Sequence, residues 1–222
     1  MRIRYNKNAE IAIKKREDIV ITNPAQQKNK WRNSFYEKNH TDQPIRVELG
    51  MGKGHYVTEM ALNNPALNFI GVDIRSELLY AAMRKVIEKN VEQNTLLILA
   101  NIEGIEEMFG ENEVNLFYIN FCDPWPKARH AKRRLTHRAF LRKYIPILID
   151  GGEIIFKTDN EGLFDFSIPE FEAAGYEIYE ITRDLHSLDD KSNVMTEYEK
   201  KFSDKGQPIF RLKARIIKAK IT

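Results

Sequence analysis

Residues 45–54 read IRVELGMGKG. The first five residues have the character of a strand, and the chain leaves it through Gly50, Gly52 and Gly54 before entering a helix expected from about Tyr56 to Asn63. Glycines at the exit of a strand let the backbone turn tightly and approach a ligand closely. An ordinary tight turn would use them too, so their spacing has to be weighed. It is G-x-G-x-G, one residue shorter than the G-x-G-x-x-G of dinucleotide sites, with His55 following the last glycine. Glu48, two residues before Gly50, sets a carboxylate where a ligand ammonium would sit and where a pyrophosphate would be repelled.

Outward from this stretch the pattern is regular. NFIGVDI (68–74) reads as a second strand, followed by a helix from Ser76 to about Asn90 with Leu79, Met83, Val86 and Ile87 at helical spacing. TLLILAN (95–101) is a third strand and Asn115–Phe121 a fourth. A helix is expected over Arg138–Ile149, a fifth strand over 151–160 and a helix around Gly162–Ala174. Two further strands follow, over 176–182 and 208–217. Strands alternating with helices predict an α/β three-layer sandwich with a mainly parallel sheet. No long helix separates the last two strands, which suits an antiparallel edge pair.

Residues 1–42 contain no long period. Ile11 to Ile13 can seed a short helix and Trp31, Phe35 and Tyr36 can dock, but the stretch reads as a basic, flexible N-terminal arm preceding a domain over 43–222. The first 32 residues hold nine Lys/Arg against three Asp/Glu, and Arg211 to Lys220 holds five basic residues and no acid. Clustered charge of this kind points to nucleic acid, with a solvated surface as the plainer explanation. The net charge of the 222 residues is only +3, and 42% hydrophobic residues support one well-filled core. The one cysteine, Cys122, excludes an intrachain disulfide and offers no zinc ligand set. No membrane-length apolar run and no signal-peptide core is present, so no membrane partner and no metal are expected and the cytoplasm is the expected compartment. A homodimer is compatible with the sequence.

The fourth strand opens the most informative segment, NLFYINFCDPWPKARHAKRR (115–134). Two prolines around Trp125 take the chain out of the sheet just after Asp123. Five cations follow within eight residues, Lys127, Arg129, Lys132, Arg133 and Arg134, together with His130 and with no acid before Asp150. Guanidinium groups at such density suit phosphate binding better than a plain helical surface. Asp73 ends the second strand, where an acid accepts hydrogen bonds from ribose hydroxyls, and Asn101 ends the third, where an amide can meet an adenine edge. Taken singly, either residue serves equally well as a cap or turn former.

In sequence order these strand ends resemble the class I S-adenosylmethionine-dependent methyltransferases, whose Rossmann-like fold is the expected one. The resemblance places Glu48, Gly50, Gly52 and Gly54 on the methionine part, Asp73 on the ribose and Asn101 on the adenine of S-adenosylmethionine, with Asp123 also against the cofactor. The string DPWPKARHAKRR resembles the tRNA (guanine-N7)-methyltransferases more narrowly. FKTD (156–159) and TEYE (196–199) extend the likeness over roughly residues 45 to 217. Cys122, where serine is expected, and His55, where an aromatic is more usual, depart from it. The resemblance implies that Asp123 is catalytic and that Lys127, Asp159, Thr196, Glu197, Tyr198 and Glu199 contact the substrate. It further implies that Arg129, His130, Lys132, Arg133 and Arg134 hold RNA, that tRNA is the partner, and that the target is a variable-loop guanosine.

Guanine N7 carries a free lone pair, so a strong base is unnecessary, and the five histidines form no clear dyad. The alternative within the class is a nucleic-acid amino-group methyltransferase. A nicotinamide oxidoreductase is disfavoured by the glycine spacing, and a non-catalytic RNA-binding protein would need only the charges. Trp125 either stacks on a base or anchors its loop, with anchoring preferred. Arg211, Lys213 and Arg215 share one strand face and either extend an RNA track or keep an edge strand soluble.

Overall fold

The computed structural model describes residues 7–220. Eight strands form one sheet: β1 Val20–Ile21, β2 Ile45–Leu49, β3 Asn68–Asp73, β4 Thr95–Leu99, β5 Val114–Asn120, β6 Leu148–Thr158, β7 Tyr176–Thr182 and β8 Phe210–Ile216. Their spatial order is β1-β4-β3-β2-β5-β6-β8-β7. The first six pair in parallel, while β8 runs antiparallel to both β6 and β7. Among the described residues the α-helices are α1 Lys7–Lys14, α2 Trp31–Asn39, α3 His55–Asn63, α4 Ser76–Glu88, α5 Ile105–Met108, α6 Arg138–Ile147, α7 Glu161–Ala173 and α8 Glu197–Ser203.

The parallel strands are apolar on both faces because helices cover both. Alternate residues serve opposite layers. Val47, Ile70, Val72, Phe117 and Ile119 pack with α2, α5, α6 and α7, while Phe69, Leu97, Leu116 and Tyr118 pack with α1, α3 and α4. This is the expected three-layer sandwich, and the last two strands form the expected antiparallel edge pair.

The N-terminal segment departs from the expected appendage. Ile13 of α1 and Ile19 and Val20 at β1 are buried with α4, and β1 extends the sheet beside β4. Trp31 and Phe35 of α2 are fully buried on the opposite face. The Trp31 indole donates to the Met108 carbonyl at 2.8 Å, and the Glu113 carboxylate accepts from the backbone N–H groups of Asn29, Trp31 and Gly110. Short, widely spaced apolar pieces conceal this docking from a search for periodicity, since each buries only one or two side chains.

The site follows from strand order. β3, β4 and β1 lie on one side of β2, and β5 and β6 on the other. Open α/β sheets bind ligands at the carboxyl ends of strands where the chain reverses its direction of winding. That point lies between β2 and β5, at Glu48 and Asn120.

Candidate active site

Glu48 sits near the end of β2, 3% exposed. One carboxylate oxygen accepts from the Val57 N–H at 3.1 Å and the other from the Asn120 side-chain amide at 3.0 Å. Burial pushes the Glu48 carboxyl up to about 7, against the pull of the Asn120 bond, of Lys157 and of the Val57 N–H. Asp73, at the end of β3, accepts from the N–H groups of Gly52 (3.0 Å) and Arg75 (3.1 Å), and burial raises its carboxyl too. Gly50 and Gly52 have φ of 77° and 58°, in the left-handed region, and a side chain on either would enter open space. Gly54, also left-handed at φ 70°, is required for a second reason. A Cβ there would lie 2.5 Å from the Ala82 Cβ, so this glycine lets α3 begin against α4.

Two hollows meet above these strand ends. One, of about 530 Å³, is lined by Gly50, Asp73, Asn101, Asp123, Trp125 and Arg133 among others. The second, of about 500 Å³, is lined by Glu48, Gly52, Asn120, Asp123, Thr196 and Tyr198 among others. Gly50, Leu78, Phe121 and Asp123 belong to both walls, so the two form one cleft with Asp123 at its waist. Asp123 is exposed and has no hydrogen-bonding or ionic partner among the described residues. The backbone that presents it is unusual: Phe121 and Trp125 have φ of 51° and 42°, rare for such side chains. The Phe121 N–H is held by the Lys157 carbonyl at 2.9 Å.

The other expected site residues fall into groups. Asn101 is on the wall but also caps a 3-10 turn through the Glu103 N–H. Lys127, Arg129 and Lys132 are exposed on or beside a 3-10 turn over Ala128–Arg133, without a carboxylate partner among the described residues, and Arg129 donates only to the His130 ring at 3.4 Å. His130 stands edge-on to Trp125, and the Arg133 guanidinium lies 5.0 Å from the centre of the Trp125 ring. Trp125 is therefore half-buried at the cleft mouth and belongs to neither core layer. Arg134 turns inward: it donates to the Pro124 and Trp125 carbonyls and covers the Phe166 ring, which fixes the loop rather than offering a phosphate contact. Asp159 is half-buried beyond the tip of β6 and lines neither hollow.

Among the described side chains of the 196–199 segment only that of Tyr198 is open, 55% exposed with its ring 6.0 Å from Phe121. Thr196 and Glu199 form a capping box at the start of α8. The Glu199 carboxylate is fully buried and bonded to the Lys157 ammonium at 2.8 Å and the Asn193 amide at 2.6 Å, so its acceptors are committed inside the protein. The Glu197 side chain lies outside the described residues. On β8, Arg211, Lys213 and Arg215 are all paired with carboxylates, at Glu180 and Asp190, Glu180, and Glu177, which removes them from any free RNA track.

Three residues that the sequence reading passed over belong to the site. Asn120 holds Glu48, yet its Oδ1 is buried without a partner. Lys157 and Tyr56 lie behind Glu48, the Lys157 ammonium 4.8 Å from the Tyr56 ring centre. Asn120 had a usable signal, a polar amide ending an apolar strand three residues before Asp123. Burial, with the neighbouring Asp123 charge, pushes the Cys122 thiol up to about 12, which disfavours the thiolate that a nucleophile needs.

This fold and this cleft define a class I methyltransferase. The putative methyltransferase family matches residues 42–212. A solved antibiotic-related methyltransferase superposes with a TM-score of 0.62 at 18% identity, over 83% of this chain and 92% of its own. Full-length similarity is narrower. A tRNA (guanine-N(7)-)-methyltransferase of Lysinibacillus sphaericus is 45% identical, over 98% of this chain and 99% of the relative. One from Oceanobacillus iheyensis is 44% identical, over 96% and 98%. The chain belongs to the tRNA (guanine-N7)-methyltransferase family. Among the described residues no helix is long and apolar enough to cross a membrane.

Proposed function

We propose that this protein transfers the methyl group of S-adenosylmethionine to N7 of a variable-loop guanosine in tRNA, in the cytoplasm. The observation that carries the reading is the convergence of Glu48, Asp73, Asn101 and Asp123 on one continuous cleft at the switch point of the sheet.

The residues present fit the cofactor. Glu48 and the unpartnered Asn120 Oδ1 offer acceptors for an ammonium group. Asp73 receives ribose hydroxyls, and Asn101 and Ile102 border an adenine-sized wall. Gly50 and Gly52 leave the space that a close backbone approach needs. When bound, the cofactor supplies an electrophilic methyl group on a sulfonium.

The chain's own part is orientation. Asp123, at the waist of the cleft and without a protein partner, accepts from the N1–H and amino group of guanine, fixing N7 in line with the donor and countering the positive charge that the purine develops. Tyr198 and Trp125 flank that position as flat apolar walls. A base inside folded RNA has to leave its stack to reach them. The exposed cations Lys127, Arg129, Lys132 and Arg133 hold the phosphates on either side, and Asp159 meets the substrate at the rim. No histidine lines either hollow apart from His55, in keeping with a reaction that removes no proton before attack.

The test is incubation with labelled S-adenosylmethionine and bulk tRNA, followed by nucleoside analysis. The label is expected on 7-methylguanosine; label on an exocyclic nitrogen would instead assign an amino-group methyltransferase. Asp123→Ala is expected to lower turnover by at least about 100-fold, the scale of one lost transition-state contact, with cofactor binding by calorimetry close to wild type. Turnover like that of the wild type would remove Asp123 from the mechanism.

A further inference from the structure

Behind the cleft, on the same face of the sheet, lies a separate cavity of about 400 Å³ whose wall contains five cations and no carboxylate. It is built by β2, β5, β6 and β8 below, α3 at one side and the loop 191–194 above. The charges do not balance locally. Lys157 is paired with Glu199, Arg211 with Glu180 and Asp190, and Lys213 with Glu180. Arg46 and Lys191 are left over, and neither has a carboxylate partner among the described residues. Arg46 is half-buried, and its guanidinium donates to the Tyr118 hydroxyl at 3.0 Å. A cation in that position, lining a polar cavity with donors beyond the one given to Tyr118, is poised for an anion.

We propose that this cavity is a phosphate-binding site, in which Arg46 and Lys191 grip a phosphodiester group of the RNA substrate. The Tyr118 hydroxyl and the Asn63 and Asn64 side chains complete the polar wall. The size favours a phosphate carried by a polymer, since the cavity far exceeds one oxyanion and its apolar part, Met60, Ile155 and Val194, suits a flanking sugar or base. Tyr56 lines both this cavity and the catalytic cleft, so a strand seated here continues directly toward the target nucleotide. The assignment to RNA rests on the function proposed above; the anion site itself does not.

The experiment compares full-length wild type with Lys191→Ala and Arg46→Gln. Three readouts are taken: tRNA affinity across a salt series, calorimetric affinity for S-adenosylmethionine, and melting temperature in inorganic phosphate against chloride at equal ionic strength. Each variant is expected to bind tRNA several-fold more weakly and to lower the salt slope by about 1, as for one lost phosphate contact, with cofactor affinity unchanged. Lys191 is an exposed loop residue, so its replacement does not endanger folding. If phosphate raises the wild-type melting temperature but not that of the variants, while tRNA binding is unaltered, the ligand is free phosphate and the RNA assignment falls. Wild-type slope and affinity in both variants, with no specific phosphate effect, would overturn the site. Failure of the wild type to bind tRNA at all would count against the proposed function, and the phosphate arm would still decide the cavity.

Discussion

At the scale of single residues, Glu48 has the most consequential environment. Its carboxyl is held near 7 by burial, well above the unfolded value, so the folded protein retains a proton there that the unfolded chain loses. The contribution of Glu48 to stability is therefore greatest below the unfolded value and declines as pH rises through about 7. Cofactor binding has the opposite sign, because an ammonium partner favours the ionised carboxylate. Affinity for S-adenosylmethionine is expected to rise by up to about tenfold between pH 6 and 8, with proton release on binding at the lower pH. Glu48→Gln should bind more weakly and lose this rise. A pH-independent wild-type affinity, measured by calorimetry in buffers of different ionisation enthalpy, would separate Glu48 from the ammonium. The acid at position 48 was legible in the sequence from its place before the glycines. Its altered titration was not, since that follows from burial under elements far apart in the chain, opposed by Asn120 and Lys157, which are 72 and 109 positions away.

Among the elements, α8 shows how a motif can be legible while its division of labour is not. TEYE reads as four substrate contacts, but the fold gives Thr196, Tyr198 and Glu199, the three whose side chains are described, different tasks. Thr196 and Glu199 close the helix start, Glu199 anchors it to Lys157, and Tyr198 reaches the cleft. The same holds for the basic run, where Arg134 fastens the loop from within while its neighbours stay outside. Spacing reveals an element, but which side chain turns inward depends on the neighbours that supply acceptors. The Lys157–Glu199 pair yields a sharp expectation, because removing one member of a buried pair strands the other charge. Lys157→Met is expected to lower stability by about 3–5 kcal/mol and to raise the KM for tRNA as Tyr198 loses its support. Lys157→Met combined with Glu199→Leu should recover much of the stability, since the stranded carboxylate is gone. Urea titration of the three proteins checks this; equal stability of wild type and Lys157→Met would mean that α8 is held by other contacts.

For the whole molecule, the decisive question is whether the catalytic domain begins at residue 43. The regular α/β pattern does begin there, and the family match starts at residue 42. Contacts contradict a physical boundary at that point. Ile13, Ile19 and Val20 lie in one core layer, Trp31 and Phe35 in the other, and β1 covers the free edge of β4. Removing residues 1–42 would expose both layers at once and leave β4 as an unprotected edge, the circumstance that promotes aggregation of sheets. It would also leave Glu113 buried without the Asn29 and Trp31 N–H groups that it accepts from. Loss of the Trp31 side chain alone is worth about 3–5 kcal/mol on the scale of large-to-small core changes, a large fraction of the ~5–15 kcal/mol that holds a typical protein folded. The shortened chain 43–222 is therefore expected to be insoluble or to melt without a cooperative transition. Trp31→Ala should remain folded with a clearly lowered urea midpoint and wild-type cofactor affinity per folded molecule. A soluble 43–222 fragment that unfolds cooperatively near the wild-type midpoint would restore the N-terminal stretch to the role of an arm, and would move any contribution it makes from the core to the capture of tRNA.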